Sequence, residues 1–128
     1  MNRRSRPAAA ALSLAVAIVA LGGCAAAVPV QSSGDPVGTW GTVADRSAYL
    51  VIEPDGKMLG NDSCNGFSGA WEQAEPSAPI VFHDTVMSLM MCEGTNAWLT
   101  SGRSAIVDGD VIYVLDDEGE VLGTLPRE

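Results

Sequence analysis

From residue 36 onward every apolar run is soon cut by Gly, Pro, Asp or Asn, and this punctuation limits the fold more than any other feature. Short apolar segments between turn formers read as β-strands joined by tight turns. Candidate strands fall at 37–43, 48–53, 57–61, 67–72, 80–83, 86–92, 104–107, 111–115 and 120–125. Pro54-Asp55-Gly56 and Asp108-Gly109 supply turn-forming pairs, and Asp116-Asp117-Glu118-Gly119 separates the last two strands, so three hairpins are expected. The exception is 94–102, where Thr95 is placed to cap a short helix carrying Ala97, Trp98 and Leu99, with Gly102 to end it. No internal repeat is visible.

The first thirty residues follow another logic. Arg3, Arg4 and Arg6 precede an Ala/Leu/Val/Ile run from Ala8 to Leu21 that ends in Gly22, Gly23 and Cys24, with no acid anywhere in it. That order reads as an export signal and not as part of the fold. Leu21-Gly22-Gly23-Cys24 resembles a bacterial lipobox, which implies a lipid-modified Cys24 as the new N-terminus. One acyl chain binds membranes only marginally, so two or three would be needed for a stable anchor. An uncleaved membrane-spanning anchor is the competing reading, although Gly22, Gly23 and Ala25 to Ala27 dilute the apolar run. The pair Arg3-Arg4 is too common in basic starts to argue for a twin-arginine signal.

The expected organisation is therefore a lipoprotein signal over 1–23, a flexible Pro/Ser/Gly-containing tether over 24–35 and one domain over 36–126. The expected location is a cell membrane or outer membrane, on the extracytoplasmic side. Removing the signal changes the charge balance. The whole chain carries seven Lys and Arg against sixteen Asp and Glu; without Arg3, Arg4 and Arg6 four cations remain, a formal net of −12. Nucleic acid is then a poor partner, because binding it depends on Lys and Arg neutralising phosphates.

A domain of this size buries a modest core and is often stapled. Cys64 and Cys92 remain beyond the signal, and in an oxidising compartment a structural disulfide between them is the favoured reading. A redox pair lacks C-x-x-C spacing, and zinc lacks a four-ligand set, since His83 is the chain's single histidine. Met87, Met90 and Met91 beside Cys92 invite a soft-metal reading. On a strand, however, alternation would split the three sulfurs between faces, so core packing is expected. Trp40, Trp71, Trp98, Tyr49, Tyr113, Phe67 and Phe82 are likewise expected mostly as core anchors.

Polar candidates carry less. Asn61, Asp62, Ser63 and Asn65 among Gly60, Gly66 and Gly69 suit a bent, bulged strand better than a ligand site. His83-Asp84 invites a search for a nucleophile among Ser63, Ser88 and Cys64, but no local catalytic signature accompanies it. Asp116, Asp117 and Glu118 lack the oxygen spacing of a calcium loop and read as an exposed hairpin tip, the candidate contact for a basic partner.

Several of these segments together resemble the META domain family, also called HslJ-like. They are Gly38-Thr39-Trp40, the run Gly60-Asn61-Asp62-Ser63-Cys64-Asn65-Gly66-Phe67-Ser68-Gly69, Met90-Met91-Cys92, Asp108-Gly109-Asp110 and Asp117-Glu118-Gly119. Ser88 departs from the threonine usual four residues before the second cysteine, and the helix after Cys92 is shortened. The resemblance implies a small antiparallel, barrel-like sheet with one helix, in exported or lipid-anchored bacterial proteins whose activity is largely undefined. The expectation is a lipid-anchored envelope protein serving as a non-catalytic binding or structural module, without cofactor or metal. The alternatives are an inhibitor or ligand-sequestering protein acting on a basic envelope partner, and a thiol oxidoreductase using Cys64 and Cys92.

Overall fold

The computed structural model describes residues 27–128. Eight strands follow one another: β1 (Gly38–Gly41), β2 (Ala48–Ile52), β3 (Lys57–Asp62), β4 (Gly66–Gln73), β5 (Ile80–Met87), β6 (Ser104–Asp108), β7 (Val111–Leu115) and β8 (Val121–Pro126). Each pairs antiparallel with the next, in the order β1 to β8. The up-and-down sheet curls until Trp40 in β1 bridges to Arg127 just after β8, giving a nearly closed barrel. Closure removes the edges that a flat sheet would leave exposed.

Alternation builds the interior. Leu50 and Ile52 of β2, Met58 of β3, Phe67 of β4, Ile80 and Phe82 of β5, Val107 of β6, Ile112 and Val114 of β7 and Leu125 of β8 form one buried cluster around Trp40. Space inside is tight. A Cβ at Gly60 would meet the Tyr49 carbonyl oxygen and stand 2.6 Å from Phe67 Cζ, so only glycine lets β2, β3 and the phenyl ring approach as they do. Gly123 plays the same part for the Trp98 indole, which would lie 2.9 Å from an added Cβ.

The closing seam is clasped by Arg127. Its guanidinium stacks 4.0 Å from the centre of the Trp40 ring and donates to the carbonyls of Val37, at 3.1 Å, and Asp35. The Trp40 indole N–H in turn donates to the Pro36 carbonyl at 2.9 Å. The last residues of the expected tether are therefore docked. Ser32 is buried and its N–H donates to the Ser77 carbonyl, while Ser33 bridges to Asp108. Backbone groups in this polar stretch find partners in the 74–79 loop and the β6–β7 turn, which its lack of an apolar period could not reveal.

Three expectations change. The two strands foreseen at 80–83 and 86–92 are one strand that stops at Met87. Asp84 takes φ +53° at a register shift between Ser68 and Ala70 of β4, so a bulge carries the strand through His83-Asp84. The foreseen helix over 94–102 is a single 3-10 turn, η1 (Leu99–Ser101), and Thr95 instead donates its hydroxyl to the Cys92 carbonyl. Met87, Met90 and Met91 are not core residues: they are 41, 58 and 101% exposed, because β5 ends at Met87 and the chain beyond it leaves the sheet. The core methionine is Met58.

Gly60→Ala tests the packing argument. The Tyr49 carbonyl is held by the β2–β3 pairing and the Phe67 ring would have to move aside, so urea unfolding should show a loss of about 1–3 kcal/mol, with little change in slope.

Candidate functional site

The β2–β3, β4–β5 and β6–β7 turns lie at one end of the barrel with residues 32–37 and the C-terminus. The other end gathers the β1–β2 loop, the β3–β4 corner, the long 88–103 connection and the β7–β8 hairpin. Here the chain is pinned by a single buried carboxylate. Asp62 is fully buried; its Oδ1 accepts the N–H of Cys64 at 3.0 Å and of Asn65 at 2.6 Å, and its Oδ2 accepts the Thr100 hydroxyl at 2.9 Å. An aspartate followed by two such N–H groups makes an Asx-type turn, here reaching across to η1 as well. Burial without these donors would be costly.

The corner is locked twice more. Cys64 and Cys92 are bonded, with their Cα atoms 5.7 Å apart. Asn65 Oδ1 accepts the Met90 N–H at 2.6 Å and the Ser88 hydroxyl at 3.0 Å, while its Nδ2 donates to the Met90 carbonyl at 3.3 Å. One asparagine thus satisfies both main-chain groups of Met90, which explains why this segment needs no strand partner.

Beside the disulfide opens a cleft of about 550 Å³. The β1–β2 loop forms one wall through Asp45 and Arg46; Tyr49 and Asn61, paired across β2 and β3, form the floor; Ser63 and the disulfide close the far side. Two rim residues hold left-handed backbones, Arg46 at φ +60° and Ser63 at φ +80°. Such conformations in side-chain-bearing residues cost energy and gather where a binding geometry must be held. The Ser63 hydroxyl is buried and meets no hydrogen-bond partner among the described residues. It is the one such side-chain atom found there, and a buried hydroxyl left without a partner is uncommon in folded chains.

Of the residues singled out in the sequence, the structure unites Cys64 with Cys92 and places Asn61 and Ser63 in the cleft. Asp62 and Asn65 brace it from behind. It does not assemble a triad: His83 Nδ1 lies 3.3 Å from Asp84 and Nε2 3.9 Å from Glu72, Ser88 is held by Asn65, and Cys64 is in the disulfide. Asp117 and Glu118 are exposed at this same end, but Asp116 is half-buried and its Oδ1 accepts the N–H groups of Glu118 and Glu120, both at 2.9 Å. Asp116 therefore shapes the hairpin, leaving two of the three acids free for contact. Among the described residues no group of three or more His, Cys, Asp or Glu is placed to hold a metal. Cys24 lies outside the described residues. Arg46 and Tyr49 were not foreseen in the cleft; Tyr49 faces outward because Leu50 beside it faces in, an alternation readable once β2 is placed.

The model of the META domain matches residues 28–128. The chain belongs to the META domain family. No curated protein and no solved structure gives a match. Membership agrees with the barrel, and the one helical piece of this META domain among the described residues is η1.

Two changes report on the corner of the META domain. Asp62→Asn removes the charge that the Cys64 and Asn65 N–H groups meet and makes the Thr100 hydroxyl turn to accept an N–H₂, so stability should fall by about 1–3 kcal/mol in chemical denaturation. Reducing the disulfide, which spans a sequence separation of 28, should remove about 3–4 kcal/mol in the chain-entropy account and lower the melting temperature by many degrees.

Proposed function

We propose that this META domain protein is an exported envelope protein, anchored through lipid on Cys24, whose barrel serves as a non-catalytic binding module. The observation that carries the reading is the polarity of the barrel. Residues 32–35 dock at one end, and the braced corner with its cleft lies at the other. Cys24 and Ser32 stand eight positions apart, a span that reaches about 27 Å at most, close to the length of an eight-residue strand. An anchor at Cys24 would therefore hold the docked end toward the membrane and present the cleft outward.

The chemistry of the cleft suits recognition. A guanidinium, a carboxylate, an amide, a phenol and an unpartnered hydroxyl surround one space, and no base stands within hydrogen-bonding distance of that hydroxyl. An unactivated serine is a poor nucleophile. The cysteine sulfurs are joined to each other, with Cys64 buried, which favours a staple over a turnover thiol.

A second reading, sequestration of a basic envelope partner, is favoured by exposed Asp117 and Glu118 at the outward end and by the net −12 charge from Cys24 onward. Such a field steers cationic surfaces and is screened by salt.

Mass spectrometry of the mature N-terminus tests the anchor: the expected result is acylated Cys24, with Cys24→Ala left unprocessed or released from membranes. A free Ala25 or an intact Met1 would sink the anchoring claim. For the acidic tip, Asp117→Asn with Glu118→Gln should slow association with a basic partner and leave the melting temperature nearly unchanged, since neither side chain is buried.

A further inference from the structure

The segment 58–102 contains no lysine or arginine, while Asp62, Glu72, Glu75, Asp84 and Glu93 give it five acids. It builds nearly all of β3, all of β4 and β5 and most of the connection to β6. On the outer surface of these strands the register runs Val51, Leu59, Ser68, Val86 in one row across β2 to β5. Leu59 is 39% and Val86 67% exposed. The row leads to Met87 at the end of β5 and into the loop after it, where Leu89, Met90 and Met91 follow and Leu89 reaches 89% exposure. Alongside lies a shallow groove of about 360 Å³, floored by Gly60, Gly66 and Phe67 and walled by Val86 and Met87.

A single exposed apolar side chain needs no explanation, whereas a contiguous set marks an interaction site. This set is held and not merely loose. Asn65 grips the Met90 main chain on both its N–H and its carbonyl, and the disulfide fixes the loop at Cys92. The backbone is thus braced while unbranched, polarizable thioethers point into solvent, a combination that adapts to an apolar partner at low ordering cost.

We infer that this face, centred on Leu89, Met90 and Met91, is a docking surface for a cationic, amphipathic stretch of another polypeptide. Its apolar side chains would lie along the Leu59–Val86 row and the methionine loop, and its Lys or Arg would meet the acids that flank the loop, Asp84 and Glu93. Charge selects this occupant. A second copy of the chain would bring the same cation-free segment against itself, and anionic headgroups would be repelled by the same acids. The loop also lies at the end of the barrel opposite the docked residues 32–35. The inference deepens the binding part of the proposed function and is independent of the lipid on Cys24.

The test uses the full oxidised chain in phosphatidylcholine vesicles, titrated with a fluorescent peptide of alternating Lys and Leu, with an alternating Glu and Leu peptide and empty vesicles as controls. The Lys-Leu peptide should bind, more weakly as salt rises, and the Glu-Leu peptide should not. Leu89→Ser, Met90→Ser and Met91→Ser together should weaken binding by about tenfold or more, because a few anchors carry most of an interface. An unchanged melting temperature and an intact disulfide in that variant show that the fold is kept. Asp84→Asn with Glu93→Gln should flatten the salt dependence, and Val121→Ser on β8 should change nothing. The inference is overturned if the triple variant binds as the wild type does, if the Glu-Leu peptide binds equally well, if the loop binds phosphatidylglycerol vesicles in place of the peptide, or if sedimentation shows a dimer that the triple variant abolishes. Mass of the N-terminus reports on anchoring separately, so either claim can fail alone.

Discussion

A carboxylate removed from water is held in place by its donors, and Asp62 has three, from Cys64, Asn65 and Thr100. Those three residues belong to the β3–β4 corner and to η1, which are 38 positions apart at the longest link. Asp62 therefore sets where Cys64 stands, and so where the disulfide can form; it also aims Asn65 at Met90. The cleft and the methionine loop sit on opposite sides of this corner, so both inherit their geometry from one buried group. A charge kept inside a small apolar barrel costs stability compared with a hydrophobic replacement of equal volume. In this barrel the compensating gain is specificity: the corner has one arrangement in which Cys64, Asn65 and Thr100 all reach Asp62.

The same corner accounts for the least regular part of the barrel. β5 and β6 share only the pairs Ile80 with Ala105 and Val81 with Ser104, extended by the Phe82 N–H donating to the Arg103 carbonyl. Beyond Phe82 the two strands part, β5 bending at the Asp84 bulge. The gap would open the core to water, but Leu99 of η1 packs into the cluster beside Phe82, with Gly102 keeping the chain close enough to Val114. Thr100, next to Leu99, is the residue that Asp62 holds. One turn of 3-10 helix suffices here because its work is to plug a seam, which the single side chain of Leu99 does.

The strands were legible because each is short, half-buried and bounded by turn chemistry; β7 falls at the foreseen residues and most others within one or two. What escaped depended on partners distant in sequence. Nothing local to His83-Asp84 shows that an aspartate at positive φ will carry a strand onward instead of ending it. Nothing local to Met87-Met91 shows that Asn65, more than twenty residues earlier, will satisfy the Met90 backbone and free those side chains from the core. Apolar composition was read as burial there, and long-range hydrogen bonds overrode it. The disulfide was legible from cysteine number and from the expectation of export, while the cleft was not, since Arg46, Tyr49 and Ser63 come from three elements and acquire meaning only when β2 and β3 are paired.

The distribution of charge gives the barrel its remaining logic. Arg127 is spent on closure, stacked on Trp40 and bonded to main-chain carbonyls, and Lys57 pairs with Asp55 at 2.9 Å in the β2–β3 turn. Arg103 donates to the carbonyls of Thr100 and Gly102, steadying the chain just after η1. Of the four Lys and Arg among the described residues, Arg46 alone has no hydrogen-bond or ion-pair partner there, and it stands at the rim of the cleft. A surface otherwise dominated by acids thus offers one free guanidinium beside an unpartnered hydroxyl, and a cation-free apolar face just across the disulfide. The polar cleft and the apolar face thus share one brace: Asp62, through Cys64 and Asn65, fixes both, so a change at that corner would disturb the two together.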